Sequence, residues 1–138
     1  MDVHHTKDKG DLGVLKALAD LAEQGFMVLH PMTEHAPFDL VICKDQRFQR
    51  VQVRYRRCDR TGVLEIRFRS IWNDRKGAHR VAMNKSEVDI VCVYCPETDE
   101  CYYFDPSDFN KSVKLRVRPP RNKQQRRVKL AAAYRRVP

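Results

Sequence analysis

PFDLVICKDQRFQRVQVRYR, residues Pro37 to Arg56, is the stretch whose reading decides the fold. It reads as two short strands, Phe38–Cys43 and Phe48–Arg56, joined by a polar turn over Lys44–Arg47. Asp39 opens the first strand. Gln52 and Arg54 stand two apart on the second, so they share a face, while Val51, Val53 and Tyr55 take the other. The hairpin therefore carries an acid, an amide and a guanidinium towards one polar surface and keeps an apolar face for a core.

Working outward, Lys9–Glu23 spaces Leu12, Leu15, Leu18, Ala19 and Ala22 as a helix does. Asp11 suits its first turn and Gly25 stops it. Phe26–Leu29 is a short strand, and Pro31–Pro37 a loop with two prolines. After the hairpin, Val63–Arg69 alternates Leu64, Ile66 and Phe68 with Glu65, Arg67 and Arg69, a strand with one basic face. Ser70–Met83 reads as a loop. Ser86–Asp89 reads as one helical turn, Ile90–Tyr94 as a buried strand, and Cys101–Phe104 as its hairpin partner across Pro96–Glu100. Ser107–Asn110 suits a further turn of helix. Lys114–Arg118 alternates basic and apolar residues, Pro119-Pro120 breaks the chain, and Asn122–Arg136 suits a basic helix. A helix, a run of strands and a basic C-terminal segment make an α+β sheet domain with an appendage. The expected organisation is a folded unit over 1–110 and a basic segment over 111–138.

The 138 residues fit one domain with a real core, since chains of about 150 residues bury roughly 70% of their unfolded surface. The longest apolar run, Ile90–Cys95, is far short of the ~20 residues that span a bilayer, so no membrane association is expected. The polar N-terminus, MDVHHTKDKGD, lacks an apolar signal core. Five irregularly spaced cysteines then read as reduced cytoplasmic thiols. The net charge of +9 is unevenly placed: eleven of the 27 basic residues and none of the 18 acidic ones follow position 110, which leaves 1–110 at −2. Such a block is either a solvated tail, a subunit interface or a contact for a polyanion, where each neutralised phosphate releases counterions.

Phosphodiester hydrolysis with a divalent metal requires hard oxygen ligands, with positions left for water and phosphate, and gains from a nearby cation. Asp39 and Asp11 offer carboxylates, Gln52 an amide oxygen, Val53 a backbone carbonyl, and Arg54 the cation. On spacing alone, Asp39 reads equally well as a residue closing the loop before its strand, and Gln52 and Arg54 as a solvated sheet face. Arg50, Arg54 and Arg56, with Arg67 and Arg69 on the next strand, suit a surface laid along a phosphate backbone or in a groove. Ser70, Trp72, Arg75 and Lys76 in the following segment, and Arg116 and Arg118 in the tail, extend the candidate nucleic-acid contacts. Cys92-x-x-Cys95 invites a zinc reading, but residues three apart on a strand face opposite ways and do not converge. The five histidines show no regular ligand spacing.

From Thr6 to about Asp105 the chain resembles the PD-(D/E)xK homing endonucleases encoded in group I introns, a branch of the restriction-enzyme-like superfamily. The resemblance rests on KGDLG at Lys9–Gly13, the helix end at Leu21–Phe26 with Gly25, HPMTEHAPFDL at His30–Leu40, RVQVRYR at Arg50–Arg56, RFRSIW at Arg67–Trp72 and DIVCVYCPETDECYYFDP at Asp89–Pro106. It implies a restriction-endonuclease-like core with an N-terminal helix followed by a mixed β-sheet. It also implies Mg²⁺-dependent, site-specific cleavage of double-stranded DNA that promotes intron homing. Asp39 and Asp11 would be the metal carboxylates, Gln52 an oxygen ligand or water positioner in place of the superfamily's second acid, and Arg54 the phosphate-facing cation. A homo-oligomer, dimer or tetramer, in a bacterial cytoplasm and associated with the nucleoid follows from the same resemblance. Two positions depart from the pattern: Arg54 stands where the family has Lys, and Val14 where many relatives carry Glu. Arg54 stays protonated, so it stabilises phosphate charge but does not act as a base. A catalytically impaired DNA-binding protein of the same fold, and an RNA-binding protein supported by charge alone, are the alternative readings.

Overall fold

The computed structural model describes residues 6–119 and 128–138, without the side chains of residues 6, 7 and 70–72. Helix α1 (Thr6–Glu23) opens the chain. It ends in a Schellman motif: Gly25 N–H donates to Ala22 and Phe26 N–H to Leu21, with Gly25 at φ +90°. The chain then enters a five-stranded sheet of β1 (Met27–Leu29), β2 (Leu40–Lys44), β3 (Arg47–Tyr55), β7 (Ile90–Cys95) and β8 (Glu100–Phe104), in the order β1-β2-β3-β7-β8. All neighbours are antiparallel except β3 and β7, which run parallel with Gln52 opposite Val91 and Arg54 opposite Val93. The sheet is mixed, as expected, and the fold is α+β. Asp45 and Gln46 both have positive φ, 53° and 64°, and make the tight turn between β2 and β3.

A parallel neighbour requires a crossover, and the segment between β3 and β7 supplies it with three strands of its own. β4 (Val63–Arg67) pairs antiparallel with β9 (Ser112–Arg116), Val63 opposite Arg116 and Arg67 opposite Ser112. β5 (Arg69–Asp74) and β6 (Gly77–Ala82) form a separate hairpin. The central strand β7 is buried throughout, and its alternation divides the core. Ile90, Cys92 and Tyr94 pack with Ala17 and Leu21 of α1 and with Leu40, Ile42 and Val51. Val91, Val93 and Cys95 pack with Leu64, Ile66, Val113 and Leu115 of the β4–β9 ribbon. Helix, sheet and ribbon thus make three layers, with Gln52 and Arg54 on the ribbon side. Helix α1 packs on β3 at Gly13, where an added Cβ would make ordinary contact with Val53 at 3.5 Å and Tyr55 at 3.7 Å.

Two sequence expectations are corrected. Residues 70–83 are not a loop: most of the segment is the β5–β6 hairpin. Its turn is encoded in Asp74-Arg75-Lys76-Gly77, where the Asp74 carboxylate accepts from Lys76 N–H at 2.7 Å and Gly77 takes φ +118°. The described part of the expected helix over 122–136 is not a long helix either. Leu130 bridges in parallel to Arg116, and only Ala131–Tyr134 turns, as a 3-10 helix, because Ala131 is drawn into the core. The rest of that expectation, 122–127, lies outside the described residues. Of the segment after position 110, Val113, Leu115 and Ala131 are core residues, and Arg135 reaches Asp20 and Glu100 at 3.7 and 3.6 Å.

Candidate active site

Asp39 sits one residue before β2, and its backbone N–H donates to Val51 at 2.9 Å. Its Oδ2 accepts the backbone N–H of Val53 at 2.7 Å. The carboxylate is thus pinned across the β2–β3 ladder on the side opposite Leu40, which faces α1. Among the described residues its other oxygen, Oδ1, has no partner. Burial raises the Asp39 pKa above its ordinary 3.8, opposed by the Val53 N–H, by Arg54 and by His30.

Arg54 lies on the same side of β3. Its Nε donates to Gln52 Oε1 at 3.1 Å and its Nη1 to the Arg67 carbonyl at 2.9 Å, so the guanidinium bridges the sheet and the ribbon. Burial, and then repulsion from Arg56, lower its pKa to about 10, against attraction from Asp39; it is a cation at neutral pH. These groups line a cleft of about 500 Å³ formed by Asp39, Gln52, Val53, Arg54, Arg56, Arg67 and Arg69. Burial also lowers the Arg56 pKa. Arg69 Nε is buried there with no partner among the described residues. A desolvated N–H donor without an acceptor costs about 1–3 kcal/mol, and an anion in the cleft removes that cost. One open carboxylate oxygen beside four guanidinium groups suits a metal-assisted reaction at an anionic centre.

Asp11 stands elsewhere. It shares a second cleft, of about 890 Å³, with Asp39, His30, Val14 and the apolar side chains Leu15, Leu18 and Phe38. Asp39 is common to both clefts, so it stands between Asp11 on one side and Gln52 and Arg54 on the other. Val14 lines the second cleft too, one turn along α1 from Asp11.

The remaining predicted contacts divide. Arg56, Arg67 and Arg69 gather at the first cleft, where Arg67 also pairs with Glu65. Arg75 and Lys76 form the exposed tip of the β5–β6 hairpin. The side chains of Ser70 and Trp72 lie outside what is described. Arg50 is on the same face of β3 as Gln52, but its Nε and Nη2 hold the Asp89 carboxylate at 3.0 and 3.1 Å and its Nη2 also reaches the Ser86 carbonyl. Arg116 donates to the carbonyls of Arg118 and Thr61, at the end of the ribbon opposite Arg67.

Sequence reading missed His30, which acts electrostatically on Asp39, and missed Arg80, Lys85 and Lys111, which with Arg67 and Arg69 line a further basic cleft of about 500 Å³ between ribbon and hairpin. The usable signal for the latter was the turn sequence Asp74–Gly77, which makes a hairpin and turns Arg80 back beside Arg69.

A family model described as PD-(D/E)XK endonuclease matches residues 4–137. The solved structure of a bacterial homing endonuclease, I-Ssp6803I, superposes with a TM-score of 0.75 at 22% identity, covering 96% of this chain and 89% of that one. No curated protein matches the chain. At that identity the solved structure speaks for the fold: a restriction-endonuclease-like core.

Proposed function

Because the chain belongs to the PD-(D/E)XK endonuclease family, we propose that it hydrolyses phosphodiester bonds in duplex DNA at a specific site, with Mg²⁺, and promotes the homing of a group I intron. The observation that carries this reading is the first cleft: one half-buried carboxylate faces guanidinium groups, and among the described residues one of its oxygens and one buried guanidinium donor have no partner.

The donor set fits Mg²⁺. That ion keeps several waters and needs only one or two carboxylates plus substrate oxygens. Asp39 would hold it, with the Gln52 amide oxygen and the Val53 carbonyl as neutral donors; Asp11 would contribute from the second cleft. Bound there, Mg²⁺ polarises the phosphate and lowers the pKa of its water. The protein does the rest. Val53 N–H keeps Asp39 oriented, and Arg54, braced by Gln52 and Arg67, meets the charge that develops on the phosphate. Arg56 and Arg69 bind the backbone on either side, and the hairpin tip at Arg75 and Lys76 extends the contact along the duplex.

Cutting both strands requires two such centres, and a two-fold homo-oligomer, dimer or tetramer, supplies them. Exposed Met27, Leu29 and Phe48, which the register places together on the sheet face opposite α1 at the β1 edge, support such an assembly. A bacterial cytoplasmic, nucleoid-associated setting fits this role; no described helix is long and apolar enough to cross a membrane. A second reading, a DNA-binding protein with impaired catalysis, is favoured by one observation, the Arg54 guanidinium occupying the Gln52 oxygen.

Incubation with a plasmid that carries the intron-insertion target and Mg²⁺ tests the proposal. Linearised plasmid, lost in Asp39→Ala, is the expected result. Intact plasmid despite tight, salt-sensitive binding favours the second reading, and preference for structured RNA over duplex DNA overturns both.

A further inference from the structure

The Cys92-x-x-Cys95 pair is split by the sheet: Cys92 is buried on the helix side and Cys95 on the ribbon side. Cys95 instead meets a partner far away in the chain. The ligand atoms of Cys58, Cys95 and Glu97 all lie within 4.8 Å of one another. Cys58 belongs to the segment that follows β3, and Cys95 and Glu97 to the end of β7 and its turn. Glu97 is already held in place: Oε1 accepts from Cys58 N–H at 2.7 Å and from the Cys95 thiol at 3.9 Å, and Oε2 from Arg57 Nε at 3.2 Å.

We propose that Cys58, Cys95 and Glu97 form a binding site for a thiophilic divalent cation, Zn²⁺ by class, separate from the phosphodiester cleft. Two thiolate sulfurs that share a tetrahedral zinc stand about 3.8 Å apart at a Zn–S distance of about 2.3 Å, so the observed cluster needs only small side-chain adjustments. Two thiolates and a carboxylate select a soft ion over Mg²⁺. They carry more negative charge than one divalent cation cancels, and Arg57 and Arg118 stand beside the remainder. Cys95 forms the buried floor and half-exposed Cys58 the entrance, with a fourth position for water. The ion would staple the segment leaving β3, the strand that carries Gln52 and Arg54, to the β7–β8 turn.

Zn²⁺ is titrated into the reduced full-length protein against a chromophoric chelator, and Co²⁺ serves as a spectroscopic reporter of thiolate ligation. The expected result is one ion per chain, a thiolate–Co²⁺ charge-transfer band, no competition from excess Mg²⁺, and a melting temperature that rises with zinc concentration. Cys58→Ser, at a half-exposed position that the fold tolerates, loses binding, band and thermal shift together; Cys43→Ser, remote from the cluster, keeps all three. Absence of stoichiometric binding by the parent protein, or binding by Cys58→Ser equal to the parent's, overturns the proposal. Because the readouts are binding and stability, their failure is distinct from any failure of DNA cleavage.

Discussion

Arg54 donates its Nε to the Oε1 of Gln52 at 3.1 Å, two residues back on the same strand face. On the proposed assignment, the residue in place of the family's lysine thus consumes part of the hydrogen-bonding capacity of the residue in place of its second acid. A lysine ammonium is a point charge without a fork and does not span both Gln52 and the Arg67 carbonyl. Arg54→Lys therefore frees the Gln52 oxygen for water or metal. The expected outcome is a rise in single-turnover cleavage by about ten-fold, which corresponds to ~1.4 kcal/mol of barrier.

Asp39→Asn separates chemistry from stability. The asparagine carbonyl still accepts the Val53 N–H, but the negative charge is gone. On the proposed assignment of Asp39 as a metal carboxylate, its loss removes several kcal/mol of transition-state stabilisation, so cleavage is expected to fall by at least about a hundred-fold. The fold responds with the opposite sign. Burial raises the Asp39 pKa, so the parent loses stability as pH rises from the unfolded value through the raised folded value. The variant is then at least as stable as the parent in thermal melts at neutral pH, and its advantage disappears below pH 3.8.

Two arginines that look alike in sequence are expected to behave differently on DNA. Among the described residues Arg69 has a buried donor without a partner, whereas Arg116 spends its guanidinium on protein carbonyls. Arg69→Ala lowers DNA affinity and reduces the slope of log K against log salt by about 1. Arg116→Ala leaves that slope unchanged. Binding titrations at several salt concentrations check both.

Asp89 receives the Arg50 backbone N–H at 2.7 Å and two guanidinium N–H groups. The Arg50 side-chain hydrogen bond leads the causes that hold the Asp89 pKa below 3.8. A depressed pKa contributes stability above the unfolded value and loses it as pH falls through the folded one. Asp89→Asn lowers Tm by about 2–4 °C at neutral pH, a modest effect because the pair is partly solvated. The gap from the parent closes below pH 3.8.

The parts of this structure that were legible in the sequence are those whose two faces differ. β4 showed itself in Leu64 and Ile66 against Glu65 and Arg67, whereas α1 showed its helical period but not its face: Leu15, Ala19 and Ala22 are exposed, and Gly13, Ala17 and Leu21 are the buried positions. The shared face of Gln52 and Arg54 followed from period two alone. The β5–β6 hairpin was illegible because β6 is exposed along almost its whole length, so no alternation marks it. The β9 alternation was visible, but its pairing with β4 spans some fifty residues and leaves no local trace. The same holds for contacts between distant segments: nothing near Arg50 announces Asp89, and nothing near Cys95 announces Cys58. Asp11 was assigned by helix position, which does not reveal that Asp39 stands between it and Gln52.

Met83 N–H donates to the Phe68 carbonyl at 3.0 Å, and the whole β5–β6 hairpin lies between those two residues. The hairpin leaves and rejoins the body at one closed gate. Lengthening a loop whose ends already meet costs little entropy, about 0.6 kcal/mol for each doubling. Insertions and grafts near the tip, around Asp74–Gly77, then leave the sheet in register, while Arg69 at the base of the hairpin stays in the Asp39 cleft. Under the proposed function, exchange of the hairpin tip alone would shift target preference and leave the chemistry in place.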